Sequence, residues 1–307
     1  MATRIPFDES YWEEYLSGQE ASLPALPAVT QLSPRVTRLL AGNPGIMQLQ
    51  GTNTYLVGTG PARILIDTGE GRPVWHATLA EHLRTHHLTL EYILLTHWHG
   101  DHTGGIPDLI AHDPTLQSRI YKHHPDRGQR PIRDGQRFTV TGATVRAVFT
   151  PGHAIDHMCF LIEEEKALLT GDNVLGHGFA IVQDLAEYMA SLARMAALGC
   201  ERGYPAHGAV IENLPAKMQL YIHHNEVRVQ QVITALASVV KLPGKRVGMT
   251  VPEIGRAIYG EVPREIVENA IVPFLSQVLW KLAEDRKVGF EPGEANKRRW
   301  FGLVTQQ

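Results

Sequence analysis

The segment Leu94–His102 reads LLTHWHGDH, and it brings His97, His99, Asp101 and His102 within six positions. Imidazole and carboxylate are the side chains that hold borderline divalent cations. The apolar run Tyr92–Leu95 just before them has the composition of a buried strand. At an extended strand end, alternate side chains share a face, so His97 and His99 point the same way. Gly100 lets the backbone turn, and Asp101 and His102 then face a neighbouring position. One cluster at one strand end can start two cation sites. A catalytic zinc takes roughly three protein ligands plus a water, so the cluster needs partners from elsewhere in the chain.

Three candidates lie further along the chain, each beside a glycine where an apolar run gives way to a loop: His153 after Gly152, Asp172 after Gly171, and His207 before Gly208. A lone Gly-His or Gly-Asp pair is most often a turn. In this order behind the histidine cluster they complete two ligand sets. Asp156 and His157 come soon after His153. They are either contacts to substrate or to the ligands, or loop residues satisfied by backbone, and the sequence leaves this open. His177, between Gly176 and Gly178, is placed to line a pocket. The pairs His86-His87, His123-His124 and His223-His224 lie in polar surroundings and read as solvated surface.

HWHGDH, GH, GD and AHG, in that order, resemble the metallo-β-lactamase-fold hydrolase superfamily. The resemblance implies an α/β protein with an αββα sandwich. It implies a first metal on His97, His99 and His153, a second on Asp101, His102 and His207, and Asp172 bridging both, with Asp101 also part of the catalytic apparatus. Asp67, in Ile66–Gly69, matches the family's first motif and would support the site rather than bind metal. THWHGDHTGG, TPGHAIDHMCF, LLTGDNVLGHGF and YPAHG are similar to the branch of β-lactamase-like protein 2. They are closer still to fungal thioesterases of the atrochrysone carboxyl type, which release polyketides from the acyl carrier protein of non-reducing synthases.

Two divalent ions roughly 3.5–4 Å apart can share a hydroxide that attacks an acyl carbonyl. A phosphopantetheine thiolate, with a thiol pKa near roughly 8.5, leaves without strong acid catalysis. The expected cofactors are two zinc ions, with iron or manganese compatible with the same ligands. The expected partner is an acyl carrier protein with its phosphopantetheine-bound polyketide, in secondary metabolism. The alternative is a metal-dependent endoribonuclease of the β-lactamase-like protein 2 type. Phosphodiesters also suit two metals, and the basic cluster Lys297-Arg298-Arg299 beside Trp300 and Phe301 offers a contact for RNA; it equally suits an acidic carrier protein or, by default, a solvated face.

These motifs need strands to carry them. Thr54–Val57, Arg63–Ile66, Thr144–Thr150, Met158–Glu163 and Ala167–Thr170 read as strands, and Val74–Leu88 and Asp184–Leu198 as helices. Residues 1–45, with prolines at 24, 27 and 34, read as an extension packed on the main domain. Residues 46–214 are the expected catalytic domain. From 215 to 307 a small helical, winged-helix-like domain is expected. It has a long helix over Leu214–Val240, a capping box at Thr250–Glu253, a helix opened by Pro263 and kinked or split by Pro273, and a terminal hairpin.

Composition adds exclusions. The 307 residues are 43% hydrophobic with a formal net charge of −3, so no global charge calls for nucleic acid or membrane. The two cysteines form no CxxC pattern, which fits a reducing, cytoplasmic setting. No run of about 18 apolar residues offers a membrane span.

Overall fold

Asn53–Val57, Met158–Ile162 and Ala167–Gly171 are buried at every position, as strands covered on both faces must be. The computed structural model describes residues 23–45, 47–238, 248–294 and 297–303. Residues 1–22 of the expected extension and the end of the long helix at Val239–Val240 lie outside the described residues.

Seven strands form the first sheet, side by side in chain order: β1 (Val29–Gln31), β2 (Val36–Leu40), β3 (Asn53–Val57), β4 (Ala62–Ile66), β5 (Thr89–Leu94), β6 (Ile120–Lys122) and β7 (Arg130–Pro131). The second sheet holds β8 (Arg137–Val140), β9 (Ala143–Phe149), β10 (Met158–Ile162), β11 (Ala167–Gly171) and β12 (Arg202–Pro205), in the spatial order β12-β11-β10-β9-β8. Tyr55, Ile64, Ile66 and Leu94 of the first sheet share one apolar cluster with Val145, Phe160 and Leu169 of the second. On the outer face of the first sheet, helix α1 (Pro73–Thr85) lays Trp75 and Leu79 over Leu56, Leu65 and Ile93. Full burial of side chains this size contributes roughly 1.5–3 kcal/mol each. Short helices α2 (Gly100–Thr103) and α3 (Ile106–His112) come after β5. On the outer face of the second sheet, α4 (Leu185–Ala197) packs Leu185, Leu192 and Met195 against Val148, Cys159 and Leu168. The αββα layering is therefore present.

Part of the stretch read as an extension is sheet. β1 and β2 pair antiparallel, and β2 pairs with β3 from Val36↔Val57 to Leu40↔Asn53. Short strands with interspersed threonine and arginine, joined through a proline turn, carry little periodic signal.

Beyond β12 lie α5 (Leu214–Ala237), α6 (Val251–Tyr259), α7 (Arg264–Ile266), α8 (Val272–Glu284) and a hairpin of β13 (Val288–Phe290) with β14 (Trp300–Gly302). The capping box forms, with Thr250 N–H donating to Glu253 Oε2 (2.7 Å) and Glu253 N–H to Thr250 Oγ1 (3.4 Å). The split near Pro273 takes the form of a π-helical turn at Val267–Ile271 between α7 and α8, and Pro273, directly after it in an unbroken helical run, has no N–H to donate to the preceding turn. These helices share the hydrophobic cluster of the second sheet: Leu275, Leu279 and Trp300 belong to the same cluster as Leu168 and Leu192. Among the described residues, no helix is long and apolar enough to cross a membrane.

Candidate metal centre

Strand direction gathers the motifs. β4 and β5 run parallel. β9 and β11 are both antiparallel to β10, and β12 is parallel to β11, so β9, β11 and β12 share one direction. Asp67 follows β4, His97–His102 follow β5, and His153, Asp172 and His207 follow β9, β11 and β12. Hydrogen bonds between the sheets bring these ends to one edge. Met158 N–H donates to Thr96 O (2.8 Å), and Asn53 Nδ2 donates to the carbonyls of Pro205 and Gly208 (2.8 Å each).

The ligand-type atoms converge in two groups, His97/His99/His153/Asp172 and Asp101/His102/His207, each within 4.8 Å of one another. In the first, His97 Nε2 lies 2.8 Å from His99 Nδ1 and 3.2 Å from His153 Nε2, and the last two atoms are 3.1 Å apart. In the second, Asp101 Oδ2 lies 3.5 Å from His102 Nε2 and 3.3 Å from His207 Nε2. Asp172 spans them. Its Oδ2 is 3.4 Å from His153 Nε2, and its Oδ1 is 3.5 Å from His102 Nε2 and 3.3 Å from His207 Nε2.

Hydrogen bonding alone does not explain the first group. His153 gives its Nδ1–H to the Ile181 carbonyl (2.8 Å), and His97 gives its Nδ1–H to Thr96 Oγ1 (3.0 Å). Both Nε2 atoms then present lone pairs to each other. Facing lone pairs repel unless a cation lies between them. Spacings of about 3 Å also match the edges of a tetrahedron whose corners lie about 2.0–2.1 Å from a central zinc. In the second group, His102 Nε2 and Asp172 Oδ1 are buried with no hydrogen-bond partner among the described residues, a cost unless an ion meets them. The residues present fit two metals.

Electrostatics divide the groups. Burial, and then the neighbouring imidazoles, hold His97 well below its ordinary value and bring His99 to about 4. Burial likewise lowers His153. These three imidazoles are neutral at pH 7, the form in which a histidine can bind a metal. At His102 and His207 burial opposes charge, but the carboxylates of Asp101 and Asp172 outweigh it, raising His102 well above the usual range and His207 to about 9. Burial also opposes charge on Asp101 and Asp172, yet the imidazoles around them hold both below the usual carboxylate range. The second group demands positive charge, as protons or as a metal ion.

Asp67 lies behind the second group, in contact with His102. Its Oδ2 accepts His102 Nδ1–H (2.8 Å), and its Oδ1 accepts Thr96 N–H (2.8 Å). Thr96 Oγ1 donates to the same carboxylate (2.9 Å) and accepts from His97. Asp67 sits at φ 58°, a backbone region costly for most residues and tolerated by Asp and Asn. His157 is not in either group. It donates Nδ1–H to Thr150 Oγ1 (3.1 Å), and its Nε2 accepts the backbone N–H of Asp172 (3.0 Å), which fixes the backbone that carries the spanning carboxylate. Gly171, at φ +52°, has no room for a Cβ, which would collide with His157 Nε2.

Asp156 stays outside both groups, buried within range of the Trp98 backbone N–H and of Lys122, and burial raises its carboxyl. His177 is half-buried and also outside them. Two of the histidine pairs are not purely solvated: His123 stacks on Phe149 (4.2 Å between centroids) and His224 packs on Phe179 (4.6 Å). Sequence reasoning missed Thr96 and Asn53. The only local signal for Thr96 was a polar residue closing an apolar run beside a ligand.

Residues 48–207 match the metallo-β-lactamase superfamily. The chain is similar to the lactamase-like protein adaB of Aspergillus niger, 62% identical over 99% of this chain and 97% of that one. It is also similar to the lactamase-like protein nscB of Neosartorya fischeri, 59% identical over 100% of this chain and 96% of that one. Among solved structures, a β-lactamase domain protein from Burkholderia ambifaria shares the fold at TM-score 0.72, with 20% identity over 92% of this chain and 98% of its own. Similarity of this degree along the whole chain, with both ligand groups inside the matched region, means that the chain belongs to the metallo-β-lactamase superfamily of metal-dependent hydrolases.

Proposed function

We propose that this centre holds two zinc ions and hydrolyses the thioester of an acyl-carrier-protein-bound polyketide made by a non-reducing synthase. The observation that carries the reading is Asp172, whose two oxygens reach one ligand group each. When bound, the pair of ions supplies Lewis-acid polarisation of an acyl carbonyl and lowers the pKa of water to about 7. The chain's part is positioning. His97, His99 and His153 offer neutral nitrogens in fixed orientation, Asp67 holds the tautomer of His102, and His157 holds Asp172. A thiolate leaving group needs no proton donor, and neither ligand group contains a neutral carboxylic acid. The choice of a polyketide thioester rests on the resemblance around HWHGDH and TPGHAIDHM. Zinc is preferred because the ligands are mainly imidazole.

The basic cluster offered for the endoribonuclease reading makes contacts of its own, and none of them favours RNA as the substrate. Lys297 pairs with Glu294 (2.8 Å), Arg299 pairs with Glu253 (3.2 Å), and Arg298 lies over the Phe290 and Trp280 rings (4.9 and 5.2 Å to the centroids). Lys297 stays 80% exposed in its pair, so its charge remains at the surface and does not separate the two readings.

Mass spectrometry of a polyketide-loaded acyl carrier protein, before and after incubation with the metal-replete protein, tests the proposal. The expected result is free holo-carrier and a released acid. An acyl-carrier mass that does not change with metal-replete protein would overturn it.

A further inference from the structure

The segment after Asp172 is tied to both ligand groups. At one end, Gly176 N–H donates to the carbonyl of His207 (2.9 Å), a residue of the second group. At the other, the Ile181 carbonyl accepts His153 Nδ1–H (2.8 Å), from the first. Residues 176–181 therefore form an arch that runs from one group to the other. Gly176 is pressed so closely on Ala209 that a Cβ would meet its carbonyl and N–H. The crown of the arch is held from behind by α5, where Tyr221 Oη donates to Gly178 O (2.8 Å) and accepts Leu175 N–H (3.3 Å).

The arch carries Phe179, 43% exposed although its ring packs on Tyr221 (5.0 Å) and His224 (4.6 Å). Two other large apolar side chains are exposed immediately beside ligands. Trp98, between His97 and His99, is 50% exposed with its ring edge-on to His99 (4.4 Å). Ile155, two residues after His153, is 63% exposed. Each is tethered to the site through a ligand: Trp98 and Ile155 along the chain, Phe179 through the arch. Exposed apolar groups placed around a polar centre mark a surface that meets an apolar ligand.

We infer that Phe179, with Trp98 and Ile155, forms the wall that receives the acyl part of the substrate, and that Phe179 selects planar aromatic acyl groups over short aliphatic ones. This rests on the thioesterase reading and names its substrate class. The ring supported by Tyr221 and His224 offers a rigid face for offset or edge stacking, and no reacting atom touches it. Phe179 is a specificity residue, not a catalytic one.

The test uses the full-length, metal-replete protein with the 2-naphthoyl and acetyl thioesters of N-acetylcysteamine, and binding of 2-naphthoic acid by calorimetry. Wild type is expected to favour the naphthoyl thioester in kcat/KM. Phe179→Ala should lower that preference about tenfold through KM, leave acetyl turnover within about twofold, and weaken naphthoate binding about tenfold. Phe179→Tyr should restore both. Leu303→Ala, at another exposed apolar site, should change neither. If both thioesters are cleaved and Phe179→Ala alters neither the preference nor naphthoate binding, the inference is overturned while the thioesterase reading stands. If no thioester is cleaved but naphthoate binds in a Phe179-dependent way, the thioesterase reading falls and the aromatic wall stands. If there is neither cleavage nor binding, both fall.

Discussion

Asp67→Asn isolates what a carboxylate behind the ligands contributes. Asparagine tolerates the positive φ of 58° at this position, so backbone strain stays constant. Its Oδ1 can still accept Thr96 N–H, now at 2.8 Å. Its Nδ2, however, would stand where Oδ2 now accepts His102 Nδ1–H at 2.8 Å. Two donors then face each other. His102 escapes either by rotating or by moving its proton to Nε2, and both take the lone pair away from the second ligand group. A charge-assisted hydrogen bond contributes about 1.5–3 kcal/mol. About 2 kcal/mol corresponds to a roughly 30-fold weaker metal affinity, within the range of about 10–100-fold typical of such supporting residues. The first group should lose less, because Asp67 reaches His97 only through Thr96 Oγ1. Competition with a chromogenic chelator resolves the two metal equivalents. The expected result is one near-normal and one weakened site, with turnover reduced in proportion and an unchanged circular dichroism spectrum. Two sites of wild-type affinity would refute the argument that Asp67 sets the tautomer of His102.

Gly171→Ala would place a methyl against His157 Nε2 at a positive φ, so we expect a loss of roughly 1–3 kcal/mol in stability. Weakened metal binding should accompany it, because His157 holds the Asp172 backbone. Denaturant midpoints of the metal-free protein and metal titration read the two effects, and wild-type values for both would count against the packing argument. Metal entry should also release protons, because His102 is raised well above the usual range and His207 to about 9, whereas His99 at about 4 has none to lose at neutral pH. Calorimetric titration at pH 7 in buffers of different ionisation enthalpy should report about two protons per chain, and a buffer-independent heat would contradict this. The same shift has a stability consequence with a defined sign. The pKa of His207 in the folded, metal-free protein lies above its unfolded value of about 6.5. Its contribution is therefore fully present below that value and lost as pH rises through about 9. Urea midpoints of the metal-free protein should fall over that window, and a flat profile there would refute the assignment.

The candidate ligands are legible because four crowd one strand end within six positions, and because His153, Asp172 and His207 each stand next to a glycine after an apolar run. A local pattern records such a position. Asp67 was legible only through the motif around it. Thr96 and Asn53 were not, because their importance lies in contacts far away in sequence: Thr96 meets Asp67 across 29 residues, and Asn53 meets Pro205 across 152. The sequence leaves His157 open between a contact to substrate or to the ligands and a loop residue satisfied by backbone. Its partner, the N–H of Asp172, belongs to a different strand end, and only the pairing of β10 with β11 brings the two together. β1 and β2 went unread because their threonines and Arg38 blur any alternation. Arg38 is only 3% exposed, which composition would not suggest.

The change of character near residue 214 marks where strands give way to helices, and it does not mark the edge of a core. Val148, Cys159 and Leu168 on the outer face of the second sheet belong to one cluster with Met218 and Val232 of α5 and with Leu275, Leu279 and Trp300 beyond it. Burial of that face keeps β9 and β11 in register, and His153 and Asp172 stand at their ends. The helical region also reaches the site directly, since Tyr221 of α5 holds the arch whose two ends are bonded to His207 and His153. All the candidate ligand residues precede residue 214, yet the sheet that aims two of them and the arch that crosses between them both pack against the C-terminal helices.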